Sequence, residues 1–236
     1  MSAKKSSLLK ANSLPFGLKV FLEKFFLGGL VLEKISSPLN GEISVREDLF
    51  GKRELMIGGV AQSGGLVEKL WQQFFQVQST NYKVQNCLIL GLGGGTAAKL
   101  LSAKFPQAKI TGIEIDPKVI ELGKKYFGLG EIPNLKIMVG DAINLIQSTE
   151  HRVQSFDLVI VDLYIGQDFP PGAQNEAFLG KVASLVNKGG RVIFNCLYYN
   201  RHHQKLADQL VGKLTPIFPR LETKKLLTNL LISASF

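Results

Sequence analysis

A glycine-rich turn between two apolar runs constrains this chain more than any other feature. One apolar run ends in the cluster Gly91-Leu-Gly-Gly-Gly95, and a second run, 109–115, contains Glu114 near its end. The alternate glycines Gly91, Gly93 and Gly95 let a ligand approach the backbone because no side chain obstructs it. A carboxylate about one β–α–β unit later is placed to accept both hydroxyls of a ribose. The combination predicts a unit that binds a nucleoside-type cofactor.

The form of this glycine loop discriminates between classes of cofactor. Loops that bind nicotinamide dinucleotides follow the pattern G-x-G-x-x-G, whereas Thr96 stands at the sixth position here and the glycines follow G-x-G-x-G. Such a loop is shaped to surround the amino-acid end of a sulfonium nucleoside with backbone N–H groups at a helix N-terminus. A nicotinamide-dependent oxidoreductase is therefore a disfavoured alternative.

A regular alternation of strand and helix patterns continues to the C-terminus. Strands are predicted at 86–91, 109–115, 135–140, 156–163 and 191–197, and helices near 96–104, 117–126, 142–148, 175–186 and 202–214. Strands that are apolar throughout and separated by helices predict a parallel sheet covered on both faces. Two closing runs, 221–226 and 229–235, predict an antiparallel pair. The expected fold class is α/β, with the Rossmann-like, seven-stranded, mostly parallel sheet of S-adenosylmethionine-dependent transferases.

A small β-hairpin domain is predicted before this sheet. Extended segments at 42–45 and 53–57 flank the turn residues 48–52, and a helix with Trp71 on its core face is predicted at 66–77. The predicted division of the chain is an N-terminal extension at 1–37, the hairpin domain at 38–80 and a Rossmann-like transferase domain at 81–236.

The N-terminal extension has the pattern of a basic amphipathic helix. Its apolar residues share one helical face and are Leu14, Leu18, Phe21, Leu22 and Phe25. Charged residues interrupt the run, which makes it too polar and too short to span a bilayer, and no small-residue cleavage pattern follows it, which argues against a secretory signal. Peripheral contact with a membrane stays open, but packing against the body of the protein or a second subunit is favoured.

Composition bounds the cellular setting and the partners. The chain has 236 residues, 45% of them hydrophobic, and a formal net charge of +9. Cys87 and Cys196 lie in apolar runs, which predicts inert core thiols and a cytoplasmic location. Basic residues outnumber acidic ones from Lys181 onward, but no basic run is interleaved with stacking aromatics. Solvated lysines are therefore favoured over nucleic-acid binding.

Carboxylates at the ends of later strands are candidate ligand contacts, because these strand ends meet at the binding edge of a parallel sheet. Asp141 could accept a hydrogen bond from an adenine amino group or cap the following helix. Asp162 closes the run 156–162 and could orient an amine or accept its proton, the alternative being that it caps a loop. His202 and His203 have no carboxylate or cysteine partners nearby in the sequence, so no metal is expected.

With these residues in view, the sequence resembles the spermidine synthase (polyamine aminopropyltransferase) family, part of the class I S-adenosylmethionine-dependent transferases, from about residue 37 onward. The matching stretches are Gly51-Lys-Arg-Glu-Leu55, Gly59-Val-Ala-Gln-Ser63, Leu90-Gly-Leu-Gly-Gly-Gly95, Ile113-Glu-Ile-Asp-Pro-Lys-Val-Ile-Glu-Leu122, Gly140-Asp141 and Phe156-Asp-Leu-Val-Ile-Val-Asp162. The resemblance implies that Gln62 helps to hold the nucleoside, Glu114 the ribose and Asp141 the adenine. It further implies that Asp162 is the general base for an attacking amine, and that the protein is a homodimer.

The chain departs from the family pattern where family members bind amines. Members have an aspartate at the position of Gly94, which engages the aminopropyl amine of the donor and would repel a carboxylate. Their second acid, three residues after the catalytic one, is Ile165 here, and their Tyr-His pair is missing from 66–71. A polycationic amine needs several acids, since an unpaired, desolvated ammonium group is costly.

These departures favour methyl transfer over aminopropyl transfer. The leading hypothesis is a transferase that binds S-adenosylmethionine, or a related adenosyl sulfonium donor, and moves a methyl group to an unidentified small-molecule acceptor. Asp162 would orient or deprotonate that acceptor, with Asp168 and Glu176 as candidate helpers. One alternative is aminopropyl transfer from decarboxylated S-adenosylmethionine to a diamine. Another is a catalytically inactive protein that binds the nucleoside only.

Overall fold

The computed structural model describes residues 29–77, 83–148 and 155–236. The apolar face predicted for the N-terminal extension, at residues 14–25, lies outside this described part of the chain. Among the described helices, none is long and apolar enough to cross a bilayer.

A four-stranded antiparallel sheet forms the N-terminal part of the described chain. Its strands, in spatial order, are β1 (Leu30–Ser37), β2 (Gly41–Glu47), β3 (Arg53–Ile57) and β4 (Val60–Gly64). The predicted hairpin corresponds to β2 and β3, and β1 and β4 extend it on both sides. Residues 30–37, which the sequence assigns to the N-terminal extension, pair with β2 along its length. The three-part division of the chain stays a prediction, with the small sheet reaching back to Leu30.

The large sheet has the predicted transferase topology. Its strands are β5 (Asn86–Leu90), β6 (Lys109–Glu114), β7 (Leu135–Val139), β8 (Phe156–Val161), β9 (Val186–Leu197), β10 (Arg220–Leu226) and β11 (Asn229–Ser235). They lie in the order β10-β11-β9-β8-β5-β6-β7. The pairs among β5 to β9 are parallel, and β11 pairs antiparallel with both β9 and β10. The predicted fold class is confirmed.

Helices cover both faces of this sheet. They are α1 (Gly65–Val77), α2 (Thr96–Lys104), α3 (Pro117–Tyr126), α4 (Ala142–Ser148), α5 (Glu176–Ser184) and α6 (Arg201–Leu214). In β5, Leu88 and Leu90 join the hydrophobic layer under α5 and α6, whereas Cys87 and Ile89 join the layer under α1 and α2. This alternation follows from the two-residue period of a strand. Both cysteines are buried and unpaired, as predicted.

The order of the strands creates a cleft. From β5 the chain proceeds outward through β6 and β7, then returns to add β8 on the other side of β5. The crossover connections on the two sides of this switch point diverge, which leaves an opening at the carboxyl ends of β5 and β8. The small sheet is held beside this opening because Ile43 and Leu55 pack on Val119 and Leu122 of α3.

The opposite edge of the sheet is tied together by one carboxylate. Asp157, near the start of β8, accepts hydrogen bonds from the backbone N–H groups of Gln85 (2.8 Å) and Asn86 (2.9 Å) and from the side-chain amide of Asn187 (2.7 Å). Burial opposes ionisation of Asp157, but these hydrogen bonds outweigh it and its pKa is lowered. Asp157 therefore joins the amino ends of β5, β8 and β9, far from the cleft.

We expect Asp157→Ala to lower the free energy of unfolding by about 2 kcal/mol, because hydrogen bonds to a charged acceptor are lost and two backbone donors are left unpaired. A lowered pKa stabilises the fold above the unfolded-state pKa and loses that contribution as pH falls, so the difference from wild type should shrink below about pH 4. Urea denaturation across pH measures both effects. Asp208→Ala, at an exposed position of α6, is the control and should change little; an equal loss there would contradict the assignment.

Candidate active site

A cavity of about 180 Å³ lies at the carboxyl ends of β5 to β8. The predicted site residues that line it are Gln62, Gly91, Gly93, Glu114, Asp141 and Asp162. Gly95 does not line it. The tertiary structure therefore brings together residues that are up to a hundred positions apart in the sequence, as expected for the binding edge of a doubly wound sheet.

The glycine loop is shaped by the close approach of neighbouring strands. Gly91 has a φ of 89°, and a Cβ atom there would lie 2.0 Å from the backbone oxygen of Asp162. Gly95 has a φ of 95° and is the N-cap of α2, where a Cβ atom would lie 2.5 Å from Leu129 Cδ1. Side chains are thus excluded at both positions. Gly91 places the ends of β5 and β8 in contact, and Gly95 starts the helix.

Glu114 joins this loop to the end of β6. Its Oε2 accepts a hydrogen bond from the Gly93 N–H (2.8 Å) and its Oε1 from the Asp116 N–H (3.1 Å). The residue is buried, with 8% of its surface exposed, and burial raises its pKa although the backbone amides of Asp116, Gly93 and Ile115 favour the charged form. A carboxylate has about four lone-pair sites, so Glu114 keeps capacity to accept from a ligand. Glu114 therefore fixes the loop and lines the cavity at once.

Asp141 and Asp116 both cap helices. Asp141 Oδ1 accepts from the Ile143 N–H (2.8 Å) and its Oδ2 from the Asn144 side-chain amide (2.8 Å) at the start of α4. The capping alternative for Asp141 is thus present in the structure, while the residue also lines the cavity. Asp116 is the N-cap of α3 and accepts from the Lys118 N–H.

Asp162 follows β8 and is held by a chain of amides. Its Oδ1 accepts from Asn195 Nδ2 (2.7 Å), and Asn195 Oδ1 accepts in turn from Asn229 Nδ2 (2.9 Å). Burial raises the pKa of Asp162 to about 7, with a smaller contribution in the same direction from the negative charge of Glu114. A carboxylate with a pKa near neutrality is suited to accepting and releasing a proton.

A second cavity, of about 310 Å³, opens on the other side of Asp162. Gln62, Val67, Asp162 and Tyr164 line both cavities. Gln62 is anchored by a hydrogen bond from its Nε2 to the Gly166 carbonyl (3.1 Å). Glu54 and the exposed apolar side chains Leu66 and Leu227 also line the second cavity. Asp162 therefore lies at the junction of the two cavities.

Ser63 is a site residue that the sequence analysis does not identify. Its hydroxyl donates to the Gln62 carbonyl (2.7 Å) and accepts from the Gly94 N–H (2.7 Å). A Cβ atom on Gly94 would lie 2.9 Å from both Ser63 Cβ and Ser63 Oγ. Ser63 therefore occupies the space that a side chain at position 94 would need.

Other contributors differ in how visible they are in the sequence. Asn195 is a polar residue within the apolar run 192–196, which is a detectable signal, whereas Asn229 and Glu54 have no local signal.

The candidate helpers Asp168 and Glu176 are exposed and do not line either cavity. Within residues 29–77, 83–148 and 155–236, no cluster of three or more His, Cys, Asp or Glu side chains could hold a metal ion.

The strand order and the cleft define a Rossmann-like transferase fold of the class I S-adenosylmethionine-dependent type. The family model of the spermine/spermidine synthase domain matches residues 52–224. The chain therefore belongs to the spermine/spermidine synthase domain family.

Two curated relatives and one solved structure represent this similarity. The chain is 29% identical to the eEF1A lysine and N-terminal methyltransferase of Mus musculus over 146 residues, which are 59% of this chain and 20% of that protein. It is 29% identical to the polyamine aminopropyltransferase of Vibrio vulnificus over 115 residues, 49% of this chain and 38% of that protein. Human methyltransferase-like protein 13, solved in complex with SAH, shares the fold with a TM-score of 0.61 at 22% identity, covering 73% of this chain and 82% of the other. The chain thus spans about a fifth and two fifths, respectively, of the curated relatives it matches.

The raised pKa of Asp162 predicts a pH-dependent stability difference. A carboxyl group with a raised folded-state pKa is ionised more readily in the unfolded chain, so it destabilises the fold progressively as pH rises from about 4 to about 7 and by a constant amount above that. Asp162→Asn removes this penalty. We expect the variant to match wild type near pH 4 and to be more stable by up to about 4 kcal/mol at pH 8, because the pKa of Asp162 is raised by about three units.

Thermal or urea unfolding of both proteins across this pH range measures the difference. Asp168→Asn, at an exposed carboxylate, is the matched control and should show no such trend. A difference between Asp162→Asn and wild type that is independent of pH would contradict the assignment.

Proposed function

We propose that the protein transfers a methyl group from S-adenosylmethionine to an amine acceptor. The observation behind this choice of donor is the Ser63–Gly94 contact. Position 94, where the family has the acid that binds the aminopropyl ammonium of a decarboxylated donor, is a glycine here, and Ser63 fills the space beside it. The start of α2 has no side-chain cap, so its backbone N–H groups favour a negatively charged group such as the donor carboxylate.

The residues of the first cavity fit the parts of such a donor. Glu114, with lone pairs to spare at the end of β6, would accept from the ribose hydroxyls, and Asp141 would accept from the adenine amino group. Gln62, between the two cavities, would help to hold the nucleoside. Gly91 and Gly93 leave the backbone open to close approach. When bound, the sulfonium donor supplies an electrophilic methyl group.

The second cavity is the proposed acceptor site. An amine entering there would reach Asp162, whose pKa near neutrality lets the carboxylate take the proton that the nitrogen loses on alkylation. Asn195 holds the carboxylate in one orientation, which supports positioning of the acceptor for direct displacement. The names of the two curated relatives describe reactions at amino groups, of lysine and a protein N-terminus in one and of polyamines in the other. We favour a small-molecule amine of a size that fits the second cavity, which has a volume of about 310 Å³.

The two cysteines bear on the cellular location of the protein. Cys87 and Cys196 are buried and unpaired, and burial raises the pKa of Cys196 to about 12, so both are poor nucleophiles. Such thiols suit the proposed cytoplasmic location. The proposed homodimer follows from the family resemblance alone.

Donor choice tests the proposal directly. We expect calorimetric binding of S-adenosylmethionine at least tenfold tighter than of its decarboxylated form, because a carboxylate gains charge-assisted hydrogen bonds at the helix start. Incubation with panels of diamines, amino acids and lysine peptides, followed by mass spectrometry, should yield adenosylhomocysteine rather than methylthioadenosine. Glu114→Ala should weaken all adenosyl compounds together. Methylthioadenosine formed with putrescine would instead establish aminopropyl transfer, and binding without any product would establish an inactive nucleoside-binding protein.

The pH dependence of turnover tests the role of Asp162. The hydrogen bond from Asn195 favours the ionised carboxylate, so Asn195→Ala should raise the pKa of Asp162 and move the acidic limb of the kcat/KM profile about one unit above its wild-type position near pH 7. Asn229→Ala removes only the outer amide of the chain and should give a smaller shift. Identical profiles for wild type and Asn195→Ala would exclude Asp162 as the proton acceptor.

A further inference from the structure

Exposed apolar side chains gather around the second cavity. Three of its lining residues, Leu66, Tyr199 and Leu227, are large apolar or aromatic residues that are exposed to solvent. They come from α1, from the segment between β9 and α6, and from the turn between β10 and β11. Exposed apolar groups from three elements that meet at one opening are typical of a binding surface, whereas single exposed residues are common everywhere. The rim of the second cavity therefore favours an apolar part of a ligand.

An unfavourable backbone conformation places Leu227 at this rim. Its φ is 54°, and among the described residues it is the only one other than glycine with a positive φ. Leu227 begins a two-residue turn, since Leu226 pairs with Asn229, and such turns prefer Gly, Asn or Asp where φ is positive. A bulky side chain is disfavoured there because its Cβ is crowded by the backbone. The turn keeps a leucine at some expense to stability, and such an outlier points to a functional role.

The charge of the second cavity favours a cation. Its charged lining residues are Glu54 and Asp162, and no Lys, Arg or His is among the described residues that line it, although the whole chain has a net charge of +9. A Cβ atom on Gly65 would lie 1.8 Å from Glu54 Oε1, so this carboxylate lies beside the first residue of α1, where the positive end of the helix dipole balances its charge. Asp162 is therefore the acid that is left to a ligand cation.

We infer that the acceptor is an amine with one cationic nitrogen and an apolar body, and that Leu227 determines this specificity. The inference rests on the proposed function and names the substrate class of its acceptor site. The nitrogen lies at Asp162, at the junction of the two cavities, and the apolar body contacts Leu66 and Leu227. A diamine would bring its second ammonium group against these apolar side chains, and loss of hydration there is unfavourable.

Two probe amines of equal size test the inference. Pentylamine and putrescine have the same number of non-hydrogen atoms and differ in having a methyl or an ammonium group at the far end. By calorimetry at pH 8 in the presence of adenosylhomocysteine, we expect wild type to bind pentylamine at least roughly tenfold more tightly. Leu227→Asn should weaken pentylamine about five- to tenfold, because apolar contact is lost, and should change putrescine less than about twofold. Glu54→Gln should leave both affinities nearly unchanged.

The backbone conformation of Leu227 gives a second readout that needs no ligand. Asparagine tolerates a positive φ, so Leu227→Asn should raise the Tm by about 2–4 °C while it weakens pentylamine. Leu49→Asn is the matched control. Leu49 lies in the connection between β2 and β3, is 38% exposed compared with 43% for Leu227, and lines neither cavity. This variant should bind both amines as wild type does and should not raise the Tm.

Several results would overturn the inference and leave methyl transfer standing. They are putrescine bound as tightly as pentylamine, equal pentylamine affinity in wild type and Leu227→Asn, and a strong loss of putrescine affinity in Glu54→Gln. A change of oligomeric state in Leu227→Asn with unchanged amine affinity would also overturn it, because the leucine would then belong to a subunit interface. Pentylamine bound with the expected preference but never methylated would support the inference and contradict the proposed function.

Discussion

The contact between the ends of β5 and β8 is the constraint on which the rest of the site depends. Gly91 lies so close to the backbone oxygen of Asp162 that any side chain would collide with it. The Leu90 carbonyl accepts from the Asp162 N–H (2.8 Å), and the Gly91 N–H donates to the Ile113 carbonyl (3.0 Å). Three strand ends are therefore locked together. The polar side chains that follow them, Glu114 and Asp162, have fixed positions as a result.

The small N-terminal sheet also lines the first cavity, through Gln62 and Ser63 of β4. The Gly64 N–H donates to Thr96 Oγ1 (2.9 Å), and Ser63 accepts from the Gly94 N–H, so β4 and the glycine loop hold each other in place. This arrangement explains why Gln62 and Ser63, which are remote from the loop in sequence, belong to the same site. A side chain at position 94 would also collide with Ser63 of the small sheet.

Charge is distributed unequally between the two cavities. The start of α2, which has no side-chain cap, presents backbone N–H donors to the first cavity. At the junction with the second cavity, Asp162 is an acceptor with a pKa near 7, and Glu54 adds a second carboxylate to the lining of the second cavity. Donors at one end and acceptors at the other suit a carboxylate-bearing donor and an amine acceptor.

Much of the fold was predictable because it depends on local patterns. Apolar runs separated by helical periodicity identify β5 to β9, and the closing pair is identified by its short connection. Strand β1 was not predicted, because residues 30–37 mix apolar and charged side chains and become extended only by pairing with β2. Ser63, Asn229 and Glu54 were likewise missed, because their roles come from neighbours distant in sequence.

By itself the sequence determined the α/β class, the glycine loop, and the position of Glu114, Asp141 and Asp162 at the ends of strands. Side-chain period and strand-end position are local properties of a sequence. The tertiary structure alone decided that burial raises the pKa of Asp162 to near neutrality while Asn195 donates to it, and that the indole N–H of Trp71, a residue predicted on the core face of a helix, has no hydrogen-bond partner among the described residues. Burial and hydrogen-bond satisfaction depend on which segments meet, and that is settled only when the chain has folded.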